Sequence, residues 1–350
     1  MKTFLKSVVL LAVLFAFAAC SESDDAPVAP EQVSGEVYYA LNSGDWKSNN
    51  SSLTMYDAST GAVAQGYFEL VNGRKLGNTA NDVIVYGSKM YIAVSGEGVI
   101  EVTDLNAKSL NQIECGAQPR YLTAHDGKVY ATYYDGHVAR IDTVTMQVDA
   151  KVEVGRNPEQ LAVCAGKLFV ANSGGMDYNT ELGYDNTVSV VDLVAFEEIE
   201  KVEVACNPAV VVAAGDNLYV ASYGNYYDVP SVLQQISADG VASVVEVCSN
   251  MTELCYSTGR LYGFFSSYDA NWNATTTYLS YGVADKSVDS PWIKESFLPA
   301  PYKVCAVGKY VCVTSSDYIN NGDVYFYDTD GMLAFKIAAG LNPVKVVSLK

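Results

Sequence analysis

Seven glycines, Gly35, Gly87, Gly127, Gly166, Gly215, Gly259 and Gly308, are each followed within three residues by a short run of β-branched or aromatic residues. Successive members lie 39 to 52 residues apart, and a four-stranded unit repeating at about 40 to 45 residues is the signature of a propeller blade. The pattern therefore predicts an all-β chain, a seven-bladed β-propeller of four-stranded blades. Function then has to be sought on a face of the ring.

One unit shows the reading. Asn157-Pro158 precedes Leu161 to Cys164, a tight turn is expected at Gly166-Lys167, and Leu168 to Asn172 completes a hairpin. After a loop come Thr187 to Asp192 and Ile199 to Val204, the third and fourth strands. The order recurs from Gln118-Pro119 and from Asn207-Pro208. At the C-terminus, Asn342-Pro343 and Val344 to Leu349 repeat a first strand with no hairpin after it, whereas Gly35 to Ala40 begins at the second-strand position. Pairing the two ends closes the ring and removes exposed sheet edges.

The repeat spans 35–350 and argues for one domain. Ahead of it, Lys2 and Lys6, an apolar stretch from Val8 to Phe17, and Ala18-Ala19-Cys20 have the layout of a signal peptide over 1–19. Phe17-Ala18-Ala19-Cys20 resembles a bacterial lipobox, whose cysteine is acylated, although Phe17 departs from the usual Leu; an ordinary cleaved secretion signal is the alternative. Residues 20–34 then form a lipidated Cys20 and a flexible linker, acidic at Glu22, Asp24 and Asp25. Those acids look like an export tag for the outer surface, so the expected location is the outer membrane, held by lipid. Without the leader, 20 basic residues face 40 acidic ones, which argues against nucleic acid as a partner because phosphate binding needs a basic patch.

Seven cysteines remain after Cys20, an odd number with no metal-site spacing. Most are read as buried small hydrophobes. A Gly308-Lys309 turn would set Cys305 opposite Cys312, where a disulfide is conceivable. The two histidines, His125 and His137, form no triad or zinc cluster. No catalytic residue, metal ligand or cofactor is therefore expected, and the chain reads as a non-enzyme.

Long insertions fall where loops between second and third strands leave one side of the ring: 41–52, 172–186, 222–230, 265–277 and 314–323. They carry Trp46, Asn49, Tyr178, Tyr223, Tyr226, Tyr227, Tyr268, Trp272 and Tyr318, joined by Tyr134 and His137. Tyr and Trp give rigid contact area with a polar tip; the alternative is that the rings pack under their own loops. Arg120 and Arg156, beside the Pro119 and Pro158 turns, should point near the channel mouth. These thirteen side chains are the candidate ligand-binding set.

The stretches Leu168 to Ser173, Asn186 to Asp192 and Cys206-Asn207-Pro208 resemble the YVTN or YncE-like propeller repeat. That resemblance implies seven blades and mostly binding roles, and carries over no catalytic residue. Leu41 to Asn50, ahead of Ser52 to Asp57, is similar to surface lipoprotein propellers of gut anaerobes. These include proteins that capture corrinoids such as vitamin B12 for a TonB-dependent transporter. The resemblance implies a small-molecule ligand, with a corrinoid as the specific expectation. Two other readings stay open: a glycan-binding or protein–protein scaffold in an outer-membrane complex, and a quinoprotein-like enzyme.

Overall fold

The computed structural model describes residues 36–237, 242–245, 248, 250–269, 271, 274–294, 298 and 300–349. The proposed leader, Cys20, the linker and Gly35 lie outside them. Seven four-stranded antiparallel sheets form a ring. The chain is a seven-bladed β-propeller. In the blade that joins the termini, Pro343–Leu349 is innermost and pairs with Val37–Asn42, in register from Val37↔Leu349 to Leu41↔Lys345. Counting from this closing blade as blade 1, the other innermost strands are Ala80–Tyr86, Pro119–His125, Pro158–Cys164, Pro208–Ala214, Glu253–Ser257 and Pro301–Val307.

Positive backbone angles account for the six glycines of the repeat that lie among the described residues. In the hairpin of blade 4 the turn is Ala165-Gly166, one residue earlier than the sequence suggests, because Cys164 pairs with Lys167. Both turn residues lie in the left-handed region, φ 48° and 76°. A two-residue turn of that type matches the twist of its strands, and glycine enters it without strain. In blade 7 the turn is Gly308-Lys309 and Cys305 does sit opposite Cys312; both are thiols here.

The second strands of the blades, such as Lys89–Val94 and Asn217–Ser222, read as nearly unbroken apolar runs because both their faces are buried, whereas outermost strands such as Glu197–Glu203 are polar and largely exposed. Seven apolar clusters fill the seven interfaces between blades. In the second strand of blade 3, Val129, Ala131 and Tyr133 pack toward blade 2, while Tyr130 packs toward blade 4. Blade 6 departs from expectation. Its segment 265–277, read as a loop, is largely ladder: Arg260–Tyr268 pairs with Ala274–Gly282 as far as Tyr268↔Ala274. Ser266-Ser267 and Thr275 to Thr277 lie between ring residues there, and Thr and aromatic residues suit a half-exposed strand.

Candidate functional site

Each innermost strand starts at the face carrying the long loops, here called the crown, so its first residues line the channel mouth. Counting back from the core residue that faces the second strand, two layers of side chains ring the opening. One holds Asp82, Tyr121, Gln160, Val210, Glu253, Lys303 and Lys345; the other holds Asn81, Arg120, Glu159, Ala209, Thr252, Tyr302 and Val344. Blade 5 alone has only aliphatic residues at these positions, Ala209 and Val210, both buried.

The charges in these layers are paired across blades. The Arg120 guanidinium donates to both oxygens of Glu159, at 2.9 Å to Oε2, and to Asn81 Oδ1 at 2.5 Å. It lies 4.4 Å from the Tyr134 ring, whose hydroxyl donates to Glu159 Oε1 at 2.8 Å. Lys303 Nζ stands 2.6 Å from Glu253 Oε1, which also accepts from the Tyr223 hydroxyl at 2.8 Å. Lys345 Nζ stands 2.6 Å from Asp82 Oδ1, and Asp82 Oδ2 accepts from the Leu122 amide. Burial pulls the Lys303 ammonium down, but the Glu253 charge outweighs it and holds the group well above its ordinary value. Burial and then the Glu253 charge push Tyr223 well up. Burial also pushes Tyr302 up to about 12.

Around the mouth, the crown loops present rings to solvent. Tyr178 stacks on Tyr184 with centroids 6.4 Å apart, Tyr184 meets Tyr226 edge-on at 6.4 Å, and Tyr226 lies 6.3 Å from Tyr223. This row runs from blade 4 over blade 5 to the Tyr223–Glu253 hydrogen bond. Beyond it, Lys303 lies 5.7 Å from the Tyr302 ring, and Tyr302 meets Tyr318 edge-on at 5.4 Å. The result is one arc of contacts from Tyr178 to Tyr318. Tyr302 and Tyr318 also border a cavity of about 590 Å³ between blades 6 and 7, floored by Pro291, Ile293, Leu298 and Pro301. That size falls within the usual range for ligand pockets.

The loops that carry these rings are braced. Asn225 Oδ1 accepts the amides of Tyr227, Asp228 and Val229, and Tyr226 takes φ 60°. Asp317 Oδ1 accepts the amides of Ile319 and Asn320, which with the Asn320 side chain hold its carboxyl down to about 2. Tyr318 takes φ 63° beside it. Asp45 accepts the Lys47 amide on Oδ1 and the Ser48 hydroxyl on Oδ2, ahead of Asn49 at φ 46°. Left-handed backbone at a tyrosine is uncommon and costs energy, so the rings are held outward by fixed turns.

The thirteen candidates thus divide. Tyr178, Tyr223, Tyr226 and Tyr318 join the arc. Trp46, 71% exposed under Lys47, and Tyr227, 93% exposed, stand beside it. Asn49 is exposed on the Trp46 loop. Arg120 and Tyr134 lie at the mouth, committed to Glu159. Arg156 departs from the expectation of pointing there: it braces the 173–186 loop through Asp177 at 2.6 Å and the Gly183 carbonyl. His137 sits 3.2 Å from Asp135 on a half-exposed site. Trp272 and the Tyr268 side chain fall outside the described residues. Sequence reasoning missed Tyr121, Glu159, Glu253, Tyr302 and Lys303. Aligning the repeats and reading the first two residues after each turn proline would have found four of them; Glu253, where Met251 replaces the proline, needed the core register.

No family model matches the chain, and no curated protein matches it. Solved structures do. A candidate 6-phosphogluconolactonase of Bacteroides uniformis superposes with TM-score 0.62 at 12% identity, over 90% of this chain and 100% of its own. Hydrazine synthase of Kuenenia stuttgartiensis gives 0.60 at 15%, over 73% and 85%. AztD of Citrobacter koseri, without ligand, gives 0.52 at 12%, over 91% and 98%. At such identities the likeness is one of fold, and the class it defines is the β-propeller.

Proposed function

We propose that this chain is a non-enzymatic, lipid-anchored surface protein that holds an amphipathic small molecule on its crown, a corrinoid above all, for hand-over to a TonB-dependent outer-membrane transporter. Membership of the YVTN-like propellers is part of the same proposal. The observation that carries it is the arc from Tyr178 to Tyr318. It sets apolar ring faces on either side of a polar centre, which suits a large disc with an apolar plane and an amide-rich edge. The charges at the mouth are already paired with one another, so the mouth offers contact area and hydrogen bonds in place of an unpaired charge. The anchor rests on Cys20 and the acids after it.

Calorimetric titration with cyanocobalamin tests the ligand. Binding at micromolar protein is expected; no heat at that concentration overturns the corrinoid assignment. Capture of a membrane partner that survives alanine at Trp46, Tyr226 and Tyr227 would favour the scaffold reading instead.

A further inference from the structure

Beneath the mouth lies a cavity of about 770 Å³, lined by residues from all seven innermost strands; it shares Glu253, Tyr302 and Lys303 with the crown arc, and the crown reading does not use the rest. We infer that this channel is a second binding site, for a small, net-neutral, hydroxyl-rich molecule of the hexose or cyclitol class.

The charge count selects neutrality. Three carboxylates, Asp82, Glu159 and Glu253, meet three cations, Lys345, Arg120 and Lys303, and every one is paired. A ligand of net charge would enter a partly desolvated ring that has no opposite charge to spare, and an uncompensated buried charge is costly. A phosphorylated sugar or a free amine is thereby disfavoured.

The pairs leave hydrogen-bonding capacity unused. A carboxylate has about four lone-pair sites and an ammonium three donors, while Lys303 and Lys345 each engage one acceptor at the mouth. The hydroxyls of Tyr121 and Tyr302 and the amide nitrogen of Gln160 have no hydrogen-bond partner among the described residues. All three side chains face this cavity. Adjacent donors and acceptors of this kind match vicinal hydroxyls, each of which gives one hydrogen bond and accepts another. Tyrosine rings supply apolar faces for the carbon side of a sugar.

The channel is also polarised along and across its axis. Below the mouth its wall becomes largely apolar, at Ile84, Ala124, Val212, Ala213, Cys255 and Ala306, with the Tyr86 and Tyr256 rings also lining it. Across the ring, blade 5 lines the cavity only with Val211, Val212 and Ala213, where every other blade contributes a polar group. The occupant is therefore oriented with its hydroxyls toward the charged blades and its apolar side toward blade 5.

The test uses the full chain and compares glucose, N-acetylglucosamine and myo-inositol with glucose 6-phosphate and glucosamine, by calorimetry and thermal shift. At least one neutral compound should bind with a Kd of about 1 mM or tighter, and the charged ones at least about tenfold more weakly. Ala306 is exposed inside the cavity, so Ala306→Phe fills space without crowding the core and should abolish sugar binding. Tyr121→Phe keeps the ring and should weaken binding about fivefold to tenfold. Cyanocobalamin binding on the crown should be unchanged in Ala306→Phe. Should Ala306→Phe not fold, Tyr121→Phe decides. The inference is overturned if no neutral compound binds at about 10 mM, if the phosphate binds more tightly, or if a folded Ala306→Phe binds sugar as before. Sugar binding without cyanocobalamin binding would sink the crown reading and leave the channel site standing; the converse would do the reverse.

Discussion

The channel mouth and the crown loops are neighbours in every blade, yet they treat polar and aromatic groups in opposite ways. At the mouth, Arg120, Lys303 and Lys345 each stand within 3 Å of a carboxylate. On the crown, Tyr226 and Tyr227 are 73% and 93% exposed on turns fixed by Asn225. Partial burial makes an unpaired charge intolerable, so the mouth is dictated by folding. Nothing in folding requires a ring to stand in water on strained backbone. The difference separates groups kept for stability from groups kept for contact.

The largest effect should come from splitting a mouth pair. Glu253→Leu strands Lys303 and takes a partner from Tyr223, and should lower stability by about 3 kcal/mol in denaturant unfolding. Adding Lys303→Met should recover most of that loss, because the charge is removed with its partner. An equal loss in both variants would mean that packing, not pairing, governs the mouth.

Crown substitutions should behave the other way. Tyr226→Ala should weaken cyanocobalamin about tenfold while moving stability by less than about 0.5 kcal/mol. A large stability loss would place the ring in the structural class and remove it from the site.

An alkaline titration sharpens the contrast. Tyr302 is pushed up to about 12 by burial, so the folded state keeps a proton that the unfolded chain releases near its ordinary value of 10. Its contribution is whole below pH 10 and is lost as pH rises through 12; Lys303, also raised, acts in the same direction. Thermal melts should therefore fall across that window, and less steeply in Tyr302→Phe. The smallest effect belongs to Val194→Lys, in an exposed turn on the opposite face. It should leave both stability and ligand binding within error.

The blades were legible because they are local: a glycine with positive φ, a two-residue turn and an apolar run lie within a dozen residues. Ring closure was legible too, since an orphan first strand at one end matches a missing one at the other. The mouth was not. Arg120 and Glu159 are 39 residues apart, Lys303 and Glu253 50, and Lys345 and Asp82 263, distances that only the closed ring cancels. Arg156 misled for a different reason: it lies two residues before its turn proline, whereas the channel residues follow theirs, and Asp177 and Gly183 in a long loop capture it. The blade 6 hairpin hid because its Ser, Thr and Tyr residues read equally as loop or as half-exposed ladder.

Hydrogen–deuterium exchange with and without cyanocobalamin tests the crown assignment most directly. Protection is expected in the loops 173–186 and 223–231 and around Tyr318, with the opposite-face turns at Gly127, Gly166 and Val194 unaffected. Protection confined to those turns, or no change anywhere under saturating ligand, would contradict it.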